Sequence, residues 1–157
     1  MRSVSVLMGS EKDLPVMEKA AEVLERFGVP YDLLVMSAHK SLDRVLAHAG
    51  QARAGGIGVI IAGAGKAAHL AGVVAARTTL PVVGVPLSAS LDGLDALLAT
   101  VQMPTGVPVA TVGIDGAANA ALLAISILAL DDSALAERLV SYRETLASES
   151  FKEIHIQ

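Results

Sequence analysis

A chain of 157 residues is long enough to bury one core. At 53% hydrophobic but only 3% aromatic content, that core must be built from Ala, Val, Leu and Ile. The formal charge of −4 and twelve scattered Lys and Arg, with no basic stripe, argue against nucleic-acid binding, and the absence of cysteine removes disulfides, thiolate chemistry and cysteine-held metals.

The elements follow in order. Val4 to Met8 reads as a strand, and Asp13 to Phe27 as a helix with apolar positions Leu14, Met17, Ala21, Leu24 and Phe27, stopped by Gly28. Leu33 to Met36 is a second strand and Leu42 to Ala54 a second helix, ended by two glycines. Residues 57–62, IGVIIA, are apolar throughout and predict a strand buried on both faces. A small-residue helix from about Ala67 to Thr78 leads to a fourth strand, PVVGVP, at 81–86. Leu91 to Val101 reads as a short helix, and QMPTGVP as a turn-rich loop. Val109 to Val112 is a fifth strand, Ala117 to Leu130 a buried helix, and Ser133 to Ser148 a charged helix before the tail FKEIHIQ. The apolar run at 117–130 falls short of the roughly 20 residues that span a membrane. Met1-Arg2 and the short SVSVLM run make no signal peptide, so a soluble cytoplasmic protein is expected.

Five strand–helix alternations predict an α/β fold: a flavodoxin-like three-layer αβα sandwich with a five-stranded parallel sheet, order 2-1-3-4-5, and an extra C-terminal helix. One domain is expected over 1–157. In such sheets ligands bind beyond the carboxyl ends of the strands, near the point where strand order reverses. The first strand is followed there by Gly9-Ser10-Glu11-Lys12-Asp13, the second by Ser37-Ala38-His39-Lys40-Ser41, and the third by Gly63-Ala64-Gly65-Lys66-Ala67-Ala68-His69. Glycine-containing turns that open helices favour anions, most plausibly a phosphate, and His39 beside them can move protons near neutral pH.

Other motifs fail on context. Gly65-Lys66 is no P-loop, because Ile60 stands at the first glycine and Ala67 at the Ser/Thr. Residues 63–68 match G-x-G-x-x-G/A, but no acid ends the next strand to hold a ribose, and no phosphorylatable aspartate ends the third strand. His48, between Ala47 and Ala49, is expected to face solvent, and His155 has no partner at metal-ligand spacing. Met103 and Pro104 read as loop structure or as a substrate lid, and Asp13 as a helix-start acid or a sugar ligand.

The blocks MGSEKDLPVM, SAHKSLDR, VIIAGAGKAAHLAG, PVVGVP, LDALLATVQMPTGVPVATV and AANAALLAISILAL occur in this order over about residues 4–130. Together they resemble the PurE family of purine biosynthesis. The resemblance implies cofactor-free, metal-free chemistry on a small ribonucleotide. The mutase branch converts N5-carboxyaminoimidazole ribonucleotide to 4-carboxyaminoimidazole ribonucleotide by moving a carboxylate from the exocyclic nitrogen to C4, by way of CO2. It implies His39 as the catalytic proton shuttle, with Gly9, Ser10, Asp13, Ser37, Lys40, Gly63, Ala64, Gly65, Lys66 and His69 as substrate-binding positions. A dry CO2 pocket would form from residues 62–68 and the QMPTG loop. It further implies a homo-octamer, with 132–157 as C-terminal helix and oligomerisation tail carrying Phe151, Ile154 and Ile156.

Several positions depart from the mutase pattern. Lys40 replaces its usual arginine and is the residue typical of the branch that carboxylates aminoimidazole ribonucleotide with CO2 directly; Lys12 and Lys66 replace a serine and a glycine, and Leu42 and Ala71 two prolines. GAGKAAHL and VQMPTG are mutase-like, so the mutase reading leads. Direct carboxylation and non-catalytic nucleotide binding are the alternatives.

Overall fold

The computed structural model describes residues 1–153; Ile154, His155 and Ile156 of the expected tail lie outside them. Five strands, β1 (Ser3–Met8), β2 (Tyr31–Val35), β3 (Ile57–Gly65), β4 (Val82–Leu87) and β5 (Ala110–Thr111), form one parallel sheet in the order β2-β1-β3-β4-β5. Six helices connect and flank them: α1 (Leu14–Arg26), α2 (Leu42–Gln51), α3 (Leu70–Arg77), α4 (Leu94–Val101), α5 (Ala117–Leu128) and α6 (Ser133–Ser150). The α/β class and the strand order agree with the sequence expectation.

The inner strands are apolar because both of their faces are covered. Val4, Val6, Met8, Val59, Ile61, Val83 and Val85 pack with Met17, Leu24 and the alanines of α5 on one face. Leu7, Ile60, Ala62 and Val82 pack with Val45, Leu70 and Val74 on the other. Small residues let the layers approach closely. A Cβ on Gly84 would lie 2.4 Å from Thr100 Cγ2 of α4. Gly28, at φ 64°, takes the left-handed conformation that closes α1.

Several boundaries differ from the sequence reading. β3 continues through Gly63-Ala64-Gly65, so this glycine run is strand and not turn. Lys66 then turns the chain with φ 53°, which delays α3 to Leu70. Asp92 (φ 53°) and Gly93 (φ 83°) are likewise left-handed, so α4 starts at Leu94 rather than Leu91. α5 stops at Leu128, leaving Leu130 84% exposed. α6 buries only Leu135 and docks through Tyr142, whose ring meets Phe27 edge-on with centroids 5.4 Å apart.

Candidate active site

The carboxyl ends of β2, β1 and β3 are neighbours, so the three loops singled out in the sequence converge. Backbone bonds lock them together. The Met36 amide donates to Met8 O at 2.8 Å, and the Gly9 amide to Gly63 O at 3.3 Å. Each loop is also closed on itself.

After β1, Ser10 caps a short 3-10 turn over Glu11–Asp13. Its Oγ accepts from the Lys12 amide at 3.3 Å, while its own amide donates to Asp13 Oδ2 at 3.1 Å. Such a reciprocal arrangement satisfies amides that would otherwise be orphaned at a helix start. Asp13 is half-buried, and that burial raises its carboxyl above the ordinary value, against the opposing Ser10 amide. Both functions considered for Asp13 are open to it: one carboxylate oxygen holds the turn, and the group remains a potential acceptor.

After β2, Ser37 and Ser41 close a tight loop. The Ser37 amide donates to Ser41 Oγ at 3.1 Å, Ser41 Oγ donates to Ser37 O at 3.1 Å, and the Lys40 amide donates to Ser37 Oγ at 3.2 Å. The Ser41 hydroxyl is therefore spent on the loop rather than free for an anion. The closure leaves the side chains of His39 and Lys40 pointing outward and exposed.

After β3, the Ala68 and His69 amides donate to Lys66 O and Ala67 O at 2.8 and 2.9 Å. This turn brings His69 to His39. His39 Nε2 and His69 Nδ1 are 2.7 Å apart, and the rings stand edge-on, with centroids 4.8 Å apart at 80°. A hydrogen bond between two imidazole nitrogens requires one to carry a proton and the other to lack it. The imidazole that stands where β2 leaves the core thus meets a second imidazole from the loop after β3.

The glycines of β3 serve packing. A Cβ on Gly63 would lie 2.3 Å from Met17 Sδ, and one on Gly65 2.7 Å from Ala89 Cβ and 3.3 Å from Leu87 O. Gly63 is buried and lets α1 onto the sheet; Ala64 and Gly65 are half-buried at the rim. Gly9, Ser10, Asp13, Ser37, His39, Lys40, Gly65, Lys66 and His69 thus share one edge, with Gly63 supporting it from beneath.

One expectation fails. His48 does not face solvent: its Nε2 lies 2.7 Å from the Oγ of buried Ser5, which donates to Asp32 Oδ1 at 2.6 Å. With its proton given to Asp32, Ser5 accepts from His48, so the network joins β1, β2 and α2. The flanking alanines concealed this because neither reveals which helix face turns inward. The QMPTG loop follows α4 and is seated on α3: a Cβ on Gly72, three residues from His69, would lie 3.3 Å from Met103 Sδ, while Gly106, Val107 and Pro108 border a cavity of about 500 Å³ with Thr78–Val82. A cavity of about 700 Å³ is bordered by Arg2, Arg53, Asp131 and Asp132. No helix among the described residues is long and apolar enough to cross a membrane.

Residues 3–149 match the family described as AIR carboxylase. The chain is 56% identical over 147 residues to N5-carboxyaminoimidazole ribonucleotide mutase of Pyrococcus abyssi, covering 93% of this chain and 84% of that protein. It is 52% identical over 150 residues to the mutase of Thermotoga maritima, covering 95% and 88%. The crystal structure of Treponema denticola PurE superposes with a TM-score of 0.85 at 33% identity, over 93% of this chain and 92% of that one. A match along nearly the whole length in sequence and in fold makes this chain a member of the AIR carboxylase, or PurE, family.

Proposed function

We propose that the chain is an N5-carboxyaminoimidazole ribonucleotide mutase of purine biosynthesis, with the hydrogen-bonded pair His39–His69 at its reacting centre. The observation that carries the reading is that pair, held at 2.7 Å by two self-closed loops beside Ser10, Asp13 and Lys40. The reaction needs one proton delivered and one removed. As the N5–carboxylate bond breaks, its electron pair stays on nitrogen, which takes a proton from His39, and CO2 is released. The enamine-like C4 then attacks that CO2 and its proton returns to His39. The contact lets His69 orient the His39 ring and share the charge that His39 loses and regains as it gives up and takes back the proton. Ser10, Asp13 and Lys40 bind the phosphoribosyl part, Lys40 as a point charge rather than a bidentate fork.

Such a CO2 intermediate needs a closed site, and a single chain leaves both histidines exposed. A homo-octamer supplies the cover. Two apolar surfaces on different elements support it: Leu94, Leu98 and Val101 along α4, and Val140, Leu146 and the 78%-exposed Phe151 on and after α6. Two separate patches, each covered by another copy of the chain, build assemblies larger than a dimer. The cytoplasm is the expected compartment, because the nucleotide substrate is an intracellular metabolite.

The test supplies either the N5-carbamate alone, or aminoimidazole ribonucleotide with a CO2 source, and follows C4-carboxylated product by ultraviolet absorbance. Conversion of the carbamate faster than its spontaneous breakdown could feed carboxylation is the expected result. Turnover only with added CO2 would make the protein a direct carboxylase. No product from either would make it a nucleotide-binding protein.

A further inference from the structure

We infer that Lys66 is the cation that recognises the migrating carboxylate of the nucleotide, on the opposite side of the histidine pair from Lys40; the inference deepens the proposed reading and rests on it. Four observations lead there. First, Lys66 is left-handed, at φ 53°, in a turn that glycine would occupy without strain. Backbone geometry alone therefore does not select lysine here. Second, the same turn carries His69, three residues on, so whatever His39 and His69 act upon lies close to the Lys66 backbone.

Third, the sheet order separates the cations. Lys40 leaves β2 at one edge, beside the loop of Ser10 and Asp13, while Lys66 leaves β3 on the side of β4. The loop after β4 presses against that exit, as the 2.7 Å approach of a Gly65 Cβ to Ala89 shows. Fourth, Asp95 at the start of α4 is held by the Ser90 hydroxyl and by the Ala96 amide at 2.8 Å. Its carboxyl lies below the ordinary value, chiefly through Ser90, and the charge of Lys66 adds to the effect. Asp95 and Lys66 thus lie within electrostatic reach of each other on the β4 side.

The nucleotide carries two anionic groups, a phosphate and a carboxylate. Since the carboxylate is attached at the reacting atoms, it must lie by the histidines. With the phosphate on the Ser10–Lys40 side, where Lys12 also stands, Lys66 is the cation on the side of the carboxylate. Its charge favours the carboxylated nucleotides over neutral CO2, so Lys66 contributes to binding substrate and product more than to the decarboxylation step.

The experiment compares wild type, Lys66→Gly and Lys66→Met by calorimetric titration with 4-carboxyaminoimidazole ribonucleotide and with aminoimidazole ribonucleotide, which lacks the carboxylate. Glycine relieves the backbone and methionine keeps the length, so one variant folds even if the other does not. Loss of about tenfold or more in affinity for the carboxylated nucleotide, with less than about twofold for the other, is expected. In turnover, KM for the carbamate rises while kcat is retained. Equal losses for both nucleotides would place Lys66 on the phosphate, and unchanged affinities would remove it from the site; either overturns the inference. Wild-type protein that discriminates between the nucleotides through Lys66 but does not turn over the carbamate would sink the mutase reading and leave Lys66 standing.

Discussion

Replacing Ser5 with alanine removes the middle member of the Asp32–Ser5–His48 network and leaves its two ends facing each other across a gap. Ser5 is fully buried on β1, in register with Asp32 of β2, and it both donates at 2.6 Å and accepts at 2.7 Å. Losing two hydrogen bonds at a buried hydroxyl, where each partner is then left without its bond, costs about 1–3 kcal/mol each at most. Asp32 and His48 are only half-buried, so water recovers part of this. A destabilisation of about 2–3 kcal/mol is expected, equivalent to roughly 5–10 °C in Tm for a chain of this size. Denaturant titration at fixed protein concentration measures it, with Thr145→Val on the exposed face of α6 as a control. A Ser5→Ala variant within about 0.5 kcal/mol of wild type would refute the claim that this network anchors α2 to the sheet. Ser5→Thr, which keeps the hydroxyl but adds a methyl to a closed core, separates loss of bonding from overpacking.

His39→Asn should abolish turnover while the nucleotide still binds, and His69→Asn should lower kcat by about 10²–10⁴-fold, both read by product absorbance; full activity in either would dissolve the paired-imidazole mechanism. Gly63→Ala should destabilise by about 1–3 kcal/mol, because its Cβ enters the space of Met17 Sδ and Cε, and Met17→Val should restore part of that in a double-mutant cycle. Leu94→Glu with Leu98→Glu should lower the mass seen by light scattering, as should truncation after Ser148; unchanged mass in both would leave the octamer without its proposed interfaces. Asp13→Asn should weaken nucleotide binding without loss of stability at neutral pH. The sign follows from burial: the folded state holds the Asp13 proton more tightly than the unfolded chain, so its contribution is fully present below the ordinary carboxyl range and is lost as pH rises through the raised folded value.

The period and burial of the strands were legible because β3 and β4 are apolar throughout, β1 breaks its apolar run only with Ser3 and Ser5, and each ends on or runs into glycine or serine. The strand order brought the loops of His39 and His69 to one edge, since they leave β2 and β3 on either side of β1; the contact between the two rings did not follow from it. What the sequence hid were distances set by conformations that composition does not announce. Lys66, Leu91, Asp92 and Asp115 are left-handed without being glycine, and the first three shift helix starts by several residues. The Asp-Gly pair at 92–93 was the available signal for the α4 boundary. The seating of Met103 of the QMPTG loop against Gly72, in the first turn of α3, is a contact that spacing alone does not announce.

The unfavourable features of this protein are concentrated where the chemistry is read. Within the sheet, glycines and alanines fit their neighbours and the one fully buried strand serine is satisfied on both sides. At the carboxyl ends, by contrast, a half-buried carboxylate is disfavoured by its own burial and a lysine occupies a glycine conformation. Arrangements of that kind persist where the surrounding structure over-determines them and function holds the residue type. If Lys66 were there for the fold, removing it would weaken the fold. Relief of its left-handed backbone instead predicts that Lys66→Gly gains about 1 kcal/mol in denaturant titration while losing discrimination for the carboxylated nucleotide. A variant that loses both stability and discrimination would mean that the side chain braces the turn, and that its effect on the ligand is a consequence of a displaced His69.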